Sequence, residues 1–147
     1  MPRAAASLVL VFCLVPAAAL ACGGDPHDTQ AWWAPPAAAQ EATVADVVRW
    51  TKANEAVPVD ANEQQVRTNE GIITGAVLLT SSAQYALSEL PANKASRLVF
   101  YCANEKCGAS HQAAQRALDA GYSNVAVMPV GIKGWKAAGQ PTVKPRS

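Results

Sequence analysis

From Thr43 onward, apolar positions switch between helical spacing and short continuous runs. Val44, Val47, Val48 and Trp50 fall near helical spacing behind Thr43, a good capping residue, and predict a helix to about Ala53. Val57-Pro58-Val59 predicts a short strand ending at Asp60, and Gly75 to Thr80 a second strand. Ser81 or Ser82 opens a predicted short helix through Tyr85 and Leu87 to about Leu90, where Pro91 stops it. Arg97 to Tyr101 is a third strand, and its unbroken apolar run suits burial on both faces. Ser110 to Ala120 predicts a helix with Ser110 as its cap, an inner face of Ala113, Ala114, Ala117 and Leu118, and Gly121 at its end. Asn124 to Met128 is a fourth strand, and Lys133 to Ala138 a last helix ended by Gly139 and Pro141. Strands alternating with helices predict an α/β domain over residues 43–143, an open parallel sheet flanked by helices, followed by a short tail at 144–147. In such sheets ligands bind beyond the carboxyl ends of the strands, and Cys102 stands at one of those ends.

The segment before Thr43 has a different character. Met1-Pro2-Arg3 is a short basic start, followed by an apolar run from Ala4 to Ala21 that closes on small residues. Residues 1–21 read as a signal peptide, and Ala19-Leu20-Ala21-Cys22 resembles a bacterial lipobox with Cys22 as the lipidated residue. Ordinary secretion after Ala21 and an uncleaved membrane anchor are the alternatives; Pro16 and the small-residue exit favour cleavage. Residues 22–42, with Pro26, Pro35 and Pro36, read as a flexible tether between a lipid anchor and the domain. Trp32-Trp33 in this stretch is expected to dock on the domain or to touch the membrane interface. The expected location is the periplasmic face of a bacterial membrane, lipid-anchored, with a soluble periplasmic or secreted form as the alternative.

Composition narrows the partners. The 147 residues carry a net charge of +1, which leaves no electrostatic footprint for nucleic acid. Anion binding must therefore come from local geometry. Of the four cysteines, Cys13 and Cys22 belong to the leader region and Cys102 and Cys107 to one loop, so no disulfide framework is expected. The oligomeric state is left open, with a monomer as the default.

The candidate chemistry lies in the stretch from Tyr101 to His111. An apolar strand ends at Cys102, and the polar loop Ala103-Asn104-Glu105-Lys106-Cys107-Gly108-Ala109 leads to Ser110 and a helix. Amides of the loop and of the first helical turn create a positive field that lowers a thiol's pKa and offers donors to an anion. Gly108, Ala103 and Ala109 are small enough for the backbone to curl closely around such an anion. Lys106 adds a charge and Glu105 opposes it unless it points outward. The alternative is an inert buried cysteine at a strand end.

Several pieces of the chain resemble the rhodanese-like (sulfurtransferase) family. They are Val59-Asp60, Ile72-Ile73-Thr74-Gly75-Ala76, Val99-Phe100-Tyr101-Cys102, Ser110 through Ala120-Gly121-Tyr122, Asn124 to Met128, and Gly131-Ile132-Lys133-Gly134-Trp135 to Pro141. The resemblance implies that Cys102 takes the outer sulfur of a thiosulfate-type donor as a persulfide and passes it to a thiol or cyanide in a ping-pong sequence. Loop amides from Ala103 to Gly108 would steady the persulfide. The resemblance implies no cofactor. Three features depart from the family pattern. No arginine follows Asp60 closely, Arg67 being the nearest; Thr74 and Ile72 replace a proline and a histidine; and seven residues, Ala103 to Ala109, separate Cys102 from Ser110 where five are usual.

Cys107 offers a second reading. It could close a disulfide with Cys102 if the geometry allows, making the loop a thiol–disulfide redox module. A non-catalytic binding domain on the same fold is the third. His111 completes a Cys-x4-Cys-x3-His spacing, which is not a standard zinc pattern, and no metal is expected. His111 is expected to be exposed in the first helical turn, near enough to touch a loop anion. Asp60 is expected to cap loop amides, Arg67 to be a surface residue unless it reaches the loop, and Trp135 to anchor the core.

Overall fold

The structure is a computed structural model that describes residues 38–145. The leader at 1–21, Cys13, Cys22 and Trp32-Trp33 lie outside the described residues. Five strands form one sheet: β1 (Gln40–Glu41), β2 (Ala56–Asp60), β3 (Val77–Leu78), β4 (Arg97–Tyr101) and β5 (Val125–Met128). Their order is β1-β5-β4-β2-β3 and every neighbouring pair is parallel. Four helices connect them: α1 (Val44–Lys52), α2 (Gln64–Glu70), α3 (Ala109–Asp119) and α4 (Gly131–Ala137). Among the described residues no helix is long and apolar enough to cross a membrane.

The central strand β4 explains the layering. Successive strand side chains point to opposite faces. Leu98 and Phe100 join Val59, Leu79, Tyr85 and the α3 alanines Ala113, Ala114 and Ala117 on one face. Val99 and Tyr101 join Val47 of α1 and Ile132 and Trp135 of α4 on the other. All four β4 residues are fully buried, and burying each side chain stabilises by roughly 1.5–3 kcal/mol. The continuous apolar run is thus the signature of a strand with helices on both sides. Thr43 caps α1 as expected, its hydroxyl accepting from the Asp46 amide at 3.2 Å.

Four elements differ from the sequence reading. β1 lies inside the segment read as tether; two polar residues form it, and pairing with Ala126 and Val127 holds it by backbone alone. α2 has almost no apolar stripe, and its one buried residue is Arg67. The predicted helix from Ser81 to Leu90 is instead a turn at 82–84 and a single 3-10 turn, Leu87–Glu89. Side chains there satisfy the backbone locally. Ser81 Oγ accepts from the amides of Ala83 and Gln84, and the Glu89 carboxylate from those of Thr80 and Ala86. Such bonds compete with a helix. Finally, α3 begins at Ala109 behind Gly108, so Ser110 sits within the first turn and is not the cap.

Candidate active site

The cysteine loop leaves β4 after Tyr101 and ends at α3. Its length is taken up by a turn in which the Asn104 carbonyl accepts from the Cys107 amide at 3.0 Å. The Asn104 side chain accepts from the Lys106 amide at 3.0 Å, an arrangement asparagine favours. From behind, α4 grips the loop: the amides of Ile132 and Lys133 donate to the carbonyls of Cys102 (2.8 Å) and Ala103 (3.1 Å). Gly131, at φ +61°, makes this approach possible, because a Cβ there would collide with the Cys102 carbonyl and the Ala103 backbone.

Cys102 is fully buried. Its thiol donates to the Cys107 carbonyl at 3.0 Å, with the Asn104 carbonyl at 3.7 Å, and Ser110 Oγ donates to its sulfur at 3.4 Å. Ser110, turned inward and buried, therefore holds the sulfur instead of capping the helix. The expected lowering of the Cys102 thiol does not occur. Burial pushes it up, contact with the Cys107 thiol adds to this, and the hydroxyl and amide of Ser110 offset only part of it. Two carbonyls facing a sulfur favour its protonated form.

Cys107 has the opposite surroundings. Burial alone would raise it, but contact with the Cys102 thiol and the amides of Ala103 and Ala109 outweigh that and hold it below the ordinary thiol range. Loop amides assigned from sequence to Cys102 thus serve Cys107. Cys107 is half-buried and opens on a cavity of about 370 Å³ whose polar lining includes Asn62, Glu63, Thr80, Ser81 and Ser82. Cys102 does not line it. Both cysteines are free thiols.

The remaining candidates scatter. Glu105 and Lys106 are exposed and line a separate groove with Val130, Lys133 and Gly134, so neither charge enters the cavity beside Cys107. His111 is exposed on α3, one residue beyond the buried Ser110. Arg67, expected at the surface, is buried: Nε donates to Asp60 Oδ1 at 3.2 Å, and Nη2 to the carbonyls of Asp60 (3.0 Å) and Leu79 (2.8 Å). Asp60 also accepts from the Asn62 amide at 2.7 Å, so its role as a cap of the turn agrees with the sequence reading. Burial, with the Asp60 carboxylate near by, pushes the Tyr101 hydroxyl up; that hydroxyl accepts from the Ile73 amide at 3.1 Å.

Asn62 was not singled out from sequence. It is 7 % exposed, its Nδ2 has no hydrogen-bond partner, and it lines the cavity that Cys107 faces. Its only sequence signal is its place two residues after an aspartate at a strand end. Among the described residues no group of three or more histidine, cysteine, aspartate or glutamate side chains could hold a metal.

No curated protein matches the chain in sequence. Solved structures do. The chain is similar to the thiosulfate sulfurtransferase from Pseudomonas aeruginosa, with 25% identity and a TM-score of 0.63, over 74% of this chain and 21% of that one. A protein of unknown function from Rhodopseudomonas palustris, described as a possible tyrosine phosphatase, matches with 24% identity and a TM-score of 0.59 over 71% of this chain and 85% of that one. The rhodanese-like domain of an Anabaena protein matches with 18% identity and a TM-score of 0.57, over 71% of this chain and 79% of that one. The profile of the Rhodanese-like domain matches residues 43–138, which take in β2 to β5, all four helices and the cysteine loop, and the chain belongs to that family.

Proposed function

We propose that this protein is a sulfurtransferase that carries sulfane sulfur as a persulfide resting on Cys102, taken from a thiosulfate-type donor and given to a thiol or cyanide. The observation that carries the reading is the pair of free thiols in one loop at the end of a parallel strand, set among the amides that open α3. The Ser110 hydroxyl beside the Cys102 sulfur supplies a donor to the resting persulfide. A thiol–disulfide module is the second reading, favoured by two free thiols in one loop with the Cys102 sulfur 3.0 Å from the Cys107 carbonyl. Export with lipid attachment at Cys22 belongs to the proposal and rests on the leader sequence.

The test is mass spectrometry of the full chain, expressed in a bacterium, reduced, and exposed to thiosulfate or to cysteine persulfide. Trypsin cleaves after Arg97, Lys106 and Arg116, so the two cysteines fall on separate peptides, 98–106 and 107–116. The expected result is one added sulfur found on 98–106, removed by cyanide as thiocyanate, on a protein whose lipidated N-terminus is Cys22. No added sulfur with either donor, or sulfur that persists when both cysteines are replaced by serine, overturns the carrier reading. An unlipidated N-terminus overturns the anchor.

A further inference from the structure

The thiol that the family resemblance marks is the buried one, and the thiol that faces the cavity is its neighbour. A donor approaching through the cavity meets Cys107 and not Cys102. Asn62 is among the residues that line this cavity; it is nine-tenths buried and its Nδ2 has no hydrogen-bond partner. A buried donor left unsatisfied costs roughly 1–3 kcal/mol, a cost that a polar ligand seated there would remove.

We infer that Cys107 is a catalytic residue: it takes the sulfur from a donor seated against Asn62 in the cavity and hands it inward to Cys102. The inference rests on the sulfur-carrier reading and deepens it. In the first step the Cys107 thiolate attacks the outer sulfur of the donor. A new S–S bond forms at Cys107, the donor's own S–S bond breaks, and the remainder leaves as sulfite (from thiosulfate) or a thiolate (from an organic persulfide). In the second step the Cys102 proton first passes to the terminal sulfur of the Cys107 persulfide, and the Cys102 thiolate so formed attacks that protonated sulfur. The Cys107 S–S bond breaks, Cys107 departs as thiolate, and Cys102 is left holding the transferred sulfur with its proton. No net oxidation occurs.

The surroundings suit this order. Amides of Ala103 and Ala109 that favour the Cys107 thiolate make Cys107 both the better attacking group at neutral pH and the better leaving group in the hand-over. The two carbonyls at Cys102 keep its thiol protonated until the sulfur arrives. The Cys102 sulfur already lies 3.0 Å from the Cys107 carbonyl, so the two cysteines start side by side in one loop.

The test follows the added sulfur over time on peptides 98–106 and 107–116, with thiosulfate and with cysteine persulfide as donors. Cys107→Ser is expected to slow loading of Cys102 by at least about tenfold, as loss of a nucleophile does, and Cys102→Ser to strand the sulfur on 107–116. Loading of Cys102 at the wild-type rate in Cys107→Ser overturns the inference. So does a Cys102→Ser protein whose 107–116 peptide stays unmodified while the wild type loads. Failure of the wild type to gain any sulfur is a different outcome, the failure of the carrier reading itself. A second measurement needs no substitution: brief iodoacetamide treatment of the intact, reduced protein. Cys107 is expected to be alkylated first, reaching half its maximal rate below the ordinary thiol value of about 8.5, with Cys102 reacting more slowly and at higher pH. Equal or faster alkylation of Cys102 overturns the inference.

Discussion

At the carboxyl ends of β2 and β4, neighbours in the sheet, the chain turns back in two different ways. The turn after β2 is bound by charge: Asp60 and Arg67 are both buried, and Arg67 reaches across to the Leu79 carbonyl on the third side. The turn after β4 contains no buried charge. Weak sulfur hydrogen bonds hold the Cys102 thiol, and the amides of α4 take the carbonyls of Cys102 and Ala103. The difference separates support from reactivity. A charged clamp can hold a loop rigidly, but beside a thiol it would set the protonation state outright. With backbone dipoles and the Ser110 hydroxyl close to the sulfurs, and no buried charge in the turn, two cysteines five residues apart acquire opposite tendencies.

The largest expected effect comes from breaking the clamp. Arg67→Met removes three hydrogen bonds and leaves Asp60 buried without its partner, a loss of about 3–5 kcal/mol. Urea unfolding checks this, and a midpoint unchanged from the wild type would show that the β2 turn does not depend on the pair. Next is the grip on the cysteine loop. Gly131→Ala puts a methyl group against the Cys102 carbonyl at a positive φ, with an expected cost of about 1–3 kcal/mol. Because the collision is with the loop itself, alkylation of Cys102 should also become faster as the loop is pushed off; a variant destabilised but still protected at Cys102 would place the strain elsewhere. The smallest effect tests the one charge that crosses between the loops. Glu63 lines the cavity and opposes the Cys107 thiolate, and no lysine or arginine is among the lining residues. Glu63→Gln should speed loading by dianionic thiosulfate several-fold at low salt, fading as salt screens the charge, and change loading by the less highly charged cysteine persulfide less. Equal acceleration of both donors would contradict a charge effect.

Much of the fold was legible in the residues because burial leaves a periodic trace. The runs at Val57 to Asp60, Arg97 to Tyr101 and Asn124 to Met128 became β2, β4 and β5, and the alanine face after Ser110 became α3. Elements without that trace were not. β1 is made of two polar residues and α2 turns in only Arg67 fully, so neither leaves an apolar period. The Ser81 to Leu90 stretch has apolar residues at plausible spacing, yet its own hydroxyls and Glu89 bind the backbone in turns.

The site divides along the same line. Sequence alone determined that a cysteine ends a buried strand, that a polar loop with a second cysteine follows, and that a helix begins behind it, because each of these is set by near neighbours along the chain. Tertiary structure decided that Ser110 turns inward, that carbonyls face Cys102 while amides face Cys107, and that Asn62 and Ser81 share a cavity with Cys107 alone. Those outcomes depend on how α4 and the β2 turn press on the loop. A thiol's proton affinity is set by the dipoles and burial around it, and these come from residues distant in sequence.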